Sequence, residues 1–163
     1  MTKKTSLYIR NFVFGVEDSL VSTGGVITGI ALAGVEKETI LMTGIVVICV
    51  EAFSMGAGSF LSEQSVQSYT KDTEHSFKKA FAGGAIMFLS YSVAGFIPLA
   101  PYLIWDCCTA IPISIVSSLI ALFILGVLIA RISKINMFYE GLKMVAVGGM
   151  AMLLGRIAGS IIG

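Results

Sequence analysis

Long apolar segments constrain the fold of this chain more than any other feature. Five of them, separated by short polar stretches, are long enough to cross a bilayer as helices. We place them at about residues 8–33, 39–62, 80–97, 111–132 and 139–162. Only 13% of the 163 residues are charged, about half the share in soluble domains, and the mean hydropathy is +0.91. The sequence therefore predicts an all-α integral membrane protein, a single domain of five transmembrane helices.

Prolines and polar residues predict where these helices end. Pro98 and Pro101 are expected to end the third helix and to begin a loop that lasts to residue 110. Pro112 suits the first turn of the fourth helix. The longest polar stretch, residues 63–79, is expected to extend the second helix beyond the membrane and then to form a cytoplasmic loop.

Lysine and arginine are distributed unequally between the two ends of the segments. Nine of the eleven lie at the amino terminus, in the stretch 63–79 or around the turn between the fourth and fifth segments, and the other two are Lys37 and Arg156. Positive residues favour the cytoplasmic side, so we expect the amino terminus in the cytoplasm and the carboxyl terminus outside. No cleavable signal peptide and no basic patch typical of nucleic-acid binding is visible.

The first segment carries two carboxylates, Glu17 and Asp18, near its middle. A carboxylate at membrane depth costs roughly 2.5–3.5 kcal/mol on the insertion scale, so it usually faces a cavity, a partner or an ion. Asp18 shares a stripe of small and polar residues with Ser22, Gly25 and Gly29, whereas Glu17 lies about 100° further round the helix. We expect this stripe to form the seam of a homodimer, where two copies of Asp18 would meet.

The second segment is expected to place a thioether at the depth of Asp18. Asp18 lies 18 residues before Glu36, at the centre of the first turn, and Met55 lies 19 residues after it. Glu51 lies one helical turn nearer the outside. Carboxylate oxygen with thioether sulfur suits a borderline ion such as Fe²⁺ better than Mg²⁺ or Ca²⁺. Protons would compete with the metal for such carboxylates.

These residues also have structural interpretations. Met55 is compatible with simple packing, since methionine is common in membrane helices. An intramembrane carboxylate is compatible with an ion pair to Arg156, although that arginine lies near the outer end and Asp18 lies toward the cytoplasmic half. Gly155 and Gly159 form a small-residue ridge on the fifth segment, which we expect to pack within the protomer.

Several motifs resemble those of the vacuolar iron transporter (VIT) family. The run FGVEDSLVST at residues 14–23, followed by a Gly-Ile-Ala at residues 29–31, resembles its first-helix signature, and SMGAG at residues 54–58 resembles its second-helix motif. Gly155 and Arg156 are similar to the close of the family's fifth helix. The resemblance implies a five-helix, homodimeric, proton-coupled exporter of Fe²⁺ and often Mn²⁺, in which Asp18 and Met55 match the translocation carboxylate and methionine.

The chain also departs from the family's pattern. Ser19 stands where the family usually has glycine, and Val47 stands where plant members have a glutamate two turns before the methionine. The family's larger members insert a metal-binding helical domain after the second helix. Here only the stretch 63–79 is available, with these acidic residues and one histidine: Glu63, Asp72, Glu74 and His75. The candidate metal ligands are thus Asp18, Met55, Glu51, Glu17 and Glu63.

The sequence favours export of Fe²⁺ or Mn²⁺ from the cytoplasm by proton antiport, across a prokaryotic plasma membrane. The expected partners are lipid, a second copy, divalent metal ions and protons, with no nucleic acid and no permanently bound cofactor. The alternative is a non-transporting structural or assembly protein whose intramembrane acids pair with a partner helix. An enzyme is poorly supported, because the segments hold no histidine, no nucleophile–base pair and no phosphate loop.

Overall fold

The computed structural model describes residues 3–70 and 76–162, which form five α-helices. Their bounds are α1 Lys3–Leu32, α2 Lys37–Thr70, α3 Ser76–Ile104, α4 Cys107–Ser133 and α5 Met137–Ile162. Four of them, α2 to α5, are long and apolar enough to cross a membrane. The prediction of an all-α, multi-pass membrane protein is confirmed. Helix α1 is less apolar, because it carries the charges of Arg10, Glu17 and Asp18. That it also crosses the membrane stays a prediction.

Helix α3 continues through both of its prolines, so the prediction that they end it was wrong. It runs to Ile104, past Pro98 and Pro101, and α4 begins only three residues later. A proline inside a helix frees backbone carbonyls, which a membrane protein can satisfy from a neighbouring helix. Ser114 of α4 donates a 2.7 Å bond to the carbonyl of Pro98 itself, which ties this part of α3 to α4. Packing and this bond together outweigh the cost of the prolines.

Two other boundaries differ from the expected ones. Pro112 lies inside α4 rather than in its first turn, because that helix already begins at Cys107. Helix α2 extends to Thr70, as the polar continuation of the second segment indicated. The other acidic residues and the histidine of the expected loop, Asp72, Glu74 and His75, lie outside the described residues.

Helix α1 lies between two pairs of helices. It contacts all four other helices, with α2 and α3 packed together and α4 and α5 packed together. Ile27 of α1 is fully buried in one apolar cluster with Ile48 and Leu99, and Leu20 is fully buried in another with Leu122. The most charged helix is thus the one that the others surround.

Glycine allows α1 to approach α5 at backbone distance. A methyl group added to Gly29 would lie 2.7 Å from the carbonyl oxygen of Gly155, and one added to Gly155 or Gly159 would meet the carbonyl of Gly25 or Gly29. Gly25 and Gly29 therefore face α5 of the same chain. This placement differs from the expected dimer seam, because the ridge of α5 already occupies that position.

We expect Gly155→Ala to destabilise the protein, because the added methyl group forces the backbones of α1 and α5 apart. Overpacking of this kind costs about 1–3 kcal/mol. The control is Gly149→Ala on the same helix, where the nearest atom would lie 4.0 Å away. Thermal unfolding in detergent measures both variants. A melting temperature for Gly155→Ala at or above that of Gly149→Ala would contradict the glycine contact.

Candidate metal site

Two carboxylates from neighbouring helices lie close enough to interact electrostatically. Asp18 of α1 and Glu51 of α2 are both partly buried and repel one another electrostatically. Two like charges in an apolar bundle are unfavourable unless they share a proton or a cation. The structure thus brings together two of the candidate ligands chosen from the sequence.

Tyr91 of α3 joins this pair to the rest of the bundle. Its hydroxyl donates to Oε2 of Glu51 over 3.3 Å and shares a 2.6 Å hydrogen bond with Oγ of Ser22. Ser19 donates a 2.7 Å bond to the backbone carbonyl of Tyr91. Three helices therefore meet at one buried tyrosine. The sequence analysis missed it, although its flanking residues, Ser90 and Ser92, mark a polar point within an apolar helix.

Met55 lines a cavity of about 670 Å³ between α1, α2 and α3. A second thioether, that of Met87 on α3, lines the same cavity and was not singled out from the sequence. The remaining lining residues are Arg10, Asn11, Phe14, Ser54, Gly58, Ser59 and Ser62. The amide of Asn11 donates a 2.7 Å bond to Oγ of Ser59, which links α1 to α2. The cavity therefore combines soft sulfur and neutral oxygen donors with the positive charge of Arg10.

Glu17 faces away from this cavity. It lines a separate cavity of about 400 Å³ beside α4, together with Arg10 and Ile129. Its carboxylate interacts electrostatically with Asp18 and, favourably, with Lys143 of α5. The 100° between consecutive helical residues thus separates the two acids of α1. Asp18 lies toward α2 and α3, and Glu17 lies toward α4 and α5.

Glu63 lies in an ion pair near the cytoplasmic end expected for α2. Oε1 of Glu63 accepts a 2.7 Å bond from Lys79 and a 3.1 Å bond from Gln67. The pair connects the end of α2 with the beginning of α3. As a metal ligand, Glu63 would have to give up Lys79, so its present geometry suits a structural role.

The described residues contain no group of three or more His, Cys, Asp or Glu side chains able to hold a metal ion. The ion pairs found in that part of the chain join Glu63 to Lys79 and Glu140 to Lys143. Arg156 is exposed. A metal at Asp18 and Glu51 would therefore need further donors, such as thioethers, hydroxyls, water or groups from another copy.

Comparison with known proteins gives two findings. The model of the VIT family matches residues 9–82 and 67–160, two overlapping stretches that together cover most of the chain. An uncharacterized protein of Methanocaldococcus jannaschii is 29% identical to this chain, in an alignment that covers 89% of the chain and 84% of the relative. The family match includes Asp18, Glu51 and Met55.

We expect Asp18→Asn to stabilise the metal-free protein at pH 8, because it removes one of two neighbouring like charges. The gain should be on the order of 1 kcal/mol. Glu140→Gln is the control, since it removes a carboxylate that pairs with exposed Lys143 and should change stability little. Thermal unfolding in detergent without metal distinguishes the two, and a lower melting temperature for Asp18→Asn would contradict the repulsion.

Proposed function

Because the chain belongs to the VIT family, we propose that it exports a divalent transition metal, Fe²⁺ or Mn²⁺, from the cytoplasm in exchange for protons. The observation that carries this proposal is the electrostatic coupling of Asp18 and Glu51, one helical turn from a cavity that two methionines line. A transporter of this kind needs ligands, a route and a way to release its ion. The chain offers a candidate for each.

In this proposal α1 crosses the membrane with the other four helices. Its 30 residues span about 45 Å, more than the roughly 30 Å of a hydrocarbon core. The four helices that it contacts leave Glu17 and Asp18 partly buried. The excess of lysine and arginine supports a cytoplasmic amino terminus, and the membrane is proposed to be a prokaryotic plasma membrane.

The methionine-lined cavity serves as the entrance for the metal. Met55 lies one turn before Gly58 and Ser59 on α2, and the cavity continues to Arg10 and Asn11 of α1. This end of both helices is the one proposed to face the cytoplasm. Thioethers bind Fe²⁺ better than they bind Mg²⁺, which prefers oxygen, so the cavity would select against the more abundant hard ion.

Asp18 and Glu51 provide the exchange of metal for protons. A divalent cation between them cancels their repulsion, and protons do the same when the cation leaves. Since the cation and the protons cannot occupy the carboxylates together, binding of the protons drives release of the cation, and binding of the cation drives release of the protons. This competition is the physical basis of the proposed antiport.

A homodimer is part of the proposal. Among the described residues, the site of one chain gathers two carboxylates and falls short of a full set of acidic, histidine or cysteine ligands. A second copy beside the open cavity of α1 and α2 would supply additional donors. The contact would not use Gly25 and Gly29, which pack on α5.

Transport in proteoliposomes tests the function directly. Vesicles with a metal-sensitive dye inside are given an outward-directed proton gradient, and Fe²⁺ or Mn²⁺ is added outside. We expect gradient-dependent uptake by the wild type and a reduction of roughly tenfold or more in Asp18→Asn, because a charged ligand is lost. Glu140→Gln should transport like the wild type.

Absence of uptake by folded wild-type protein, reconstituted in both orientations, would contradict transport. A membrane assembly protein would then be the better interpretation, and the two carboxylates would serve to pair helices. Uptake that does not depend on the proton gradient would support metal transport but contradict proton antiport.

Substitution of the cavity methionine should change selectivity more than rate. We expect Met55→Leu to lower the preference for Fe²⁺ over Mg²⁺ by roughly tenfold, because leucine keeps the volume but removes the sulfur. Met152→Leu is the control, since Met152 is a buried methionine that lies outside the cavity. Competition of Mg²⁺ with Fe²⁺ uptake provides the measurement. An unchanged preference for Fe²⁺ over Mg²⁺ in Met55→Leu would contradict a role for this methionine in the translocation path.

A further inference from the structure

We propose that Tyr91 is a positioning residue, which holds the Glu51 carboxylate against Asp18 and thereby sets the affinity of the site for a divalent cation. The inference rests on the proposed function, since it concerns the same pair of carboxylates. It assigns a role to a residue of α3, outside the two helices that carry the motifs.

The hydroxyl of Tyr91 lies between the two helices that bear the carboxylates. It bonds to Ser22 of α1 over 2.6 Å and to Oε2 of Glu51 on α2 over 3.3 Å. A phenol has one proton to donate, so when Tyr91 donates it to Glu51, Ser22 must donate to Tyr91. The chain of hydrogen bonds therefore runs from Ser22 through Tyr91 to the carboxylate.

The tyrosine itself is held firmly. Its side chain is fully buried, and its backbone carbonyl accepts a 2.7 Å bond from the hydroxyl of Ser19, which is also fully buried. One turn further along α3, a methyl group added to Gly95 would lie 3.0 Å from the hydroxyl of Ser19 and 2.7 Å from the side chain of Ile48. The three helices thus pack closely around Tyr91, and its hydroxyl occupies a defined position.

Glu51 needs such a support for two reasons. A free glutamate side chain has several rotamers, and ordering them on binding lowers the affinity for an ion. In addition, repulsion from Asp18 drives Glu51 away from the geometry in which both carboxylates could contact one cation. A hydrogen bond from a rigid, buried donor counters both effects, as partners of metal ligands commonly do.

The same helix offers a matched control. Tyr102 is also on α3 and also fully buried, but it packs in the apolar cluster that contains Ile27 and Leu99. No hydrogen bond between Tyr102 and a carboxylate is present in the described part of the chain. Tyr102→Phe therefore removes a buried hydroxyl from α3 without touching Glu51.

A double-mutant cycle tests the inference. The affinity of the purified, detergent-solubilised chain for Mn²⁺ is measured by electron paramagnetic resonance of the free ion, for Tyr91→Phe, Glu51→Gln and the two together. We expect Tyr91→Phe to weaken binding by roughly 10- to 100-fold. The double variant should bind no more weakly than Glu51→Gln alone, since Tyr91 acts through Glu51.

Tyr102→Phe should change affinity less than about threefold, and its effect should multiply with that of Glu51→Gln. The inference is overturned if Tyr91→Phe binds Mn²⁺ as tightly as the wild type does. It is also overturned if the loss of affinity in Tyr91→Phe multiplies with the loss in Glu51→Gln. If Tyr91→Phe does not fold, Ser22→Ala, which removes the donor to the tyrosine, is carried through the same cycle and must show the same non-additivity.

The outcomes also separate this inference from the proposed function. If the wild type binds Mn²⁺ and Asp18→Asn abolishes binding, but Tyr91→Phe is independent of Glu51, only the role of Tyr91 is overturned. If the folded wild type binds neither Mn²⁺ nor Fe²⁺ and transports neither, both are overturned.

Discussion

The repulsion between Asp18 and Glu51 is the constraint around which the bundle is arranged. Two acids in an apolar setting are tolerated only where other groups hold them and where an ion or proton can reach them. The structure meets the first condition with Tyr91, and it meets the second with the open cavity beside Met55. A purely structural bundle would gain stability by losing one of the acids, so their presence is best explained by function.

The position of α1 follows from this constraint. A helix with charges on two faces cannot be exposed to lipid without a large cost, and here it lies between the α2–α3 pair and the α4–α5 pair. Glycine makes the contact with α5 very close at Gly25 and Gly29. Asp18 and Ser22 lie one to two turns earlier on the same stripe, where Ser22 bonds to Tyr91 of α3 and Asp18 interacts with Glu51 of α2. Glu17 is directed to the other pair, where Lys143 partly balances its charge.

Much of this fold follows from sequence, and the exceptions have physical reasons. Length and hydropathy predict five helices, and helical rotation separates Glu17 from Asp18. Pro98 and Pro101 were misleading because a membrane helix tolerates prolines where it packs against its neighbours, and Ser114 of α4 ties α3 to α4 at this point. The partner of Gly25 and Gly29 could not be inferred, since a stripe of small residues does not reveal which helix will cover it. Tyr91 and Met87 escaped notice because an isolated tyrosine or methionine in an apolar segment is usually part of the packing.

The glycine contact between α1 and α5 also restricts how the protein can move. Where helices meet through side chains, rotamer changes can absorb a small displacement, but here backbone meets backbone at Gly29 and Gly155. Movement between these helices would require their main chains to separate and lose contact along the whole ridge. Helices α1 and α5 should therefore shift together as one rigid body in any change of access to the carboxylates.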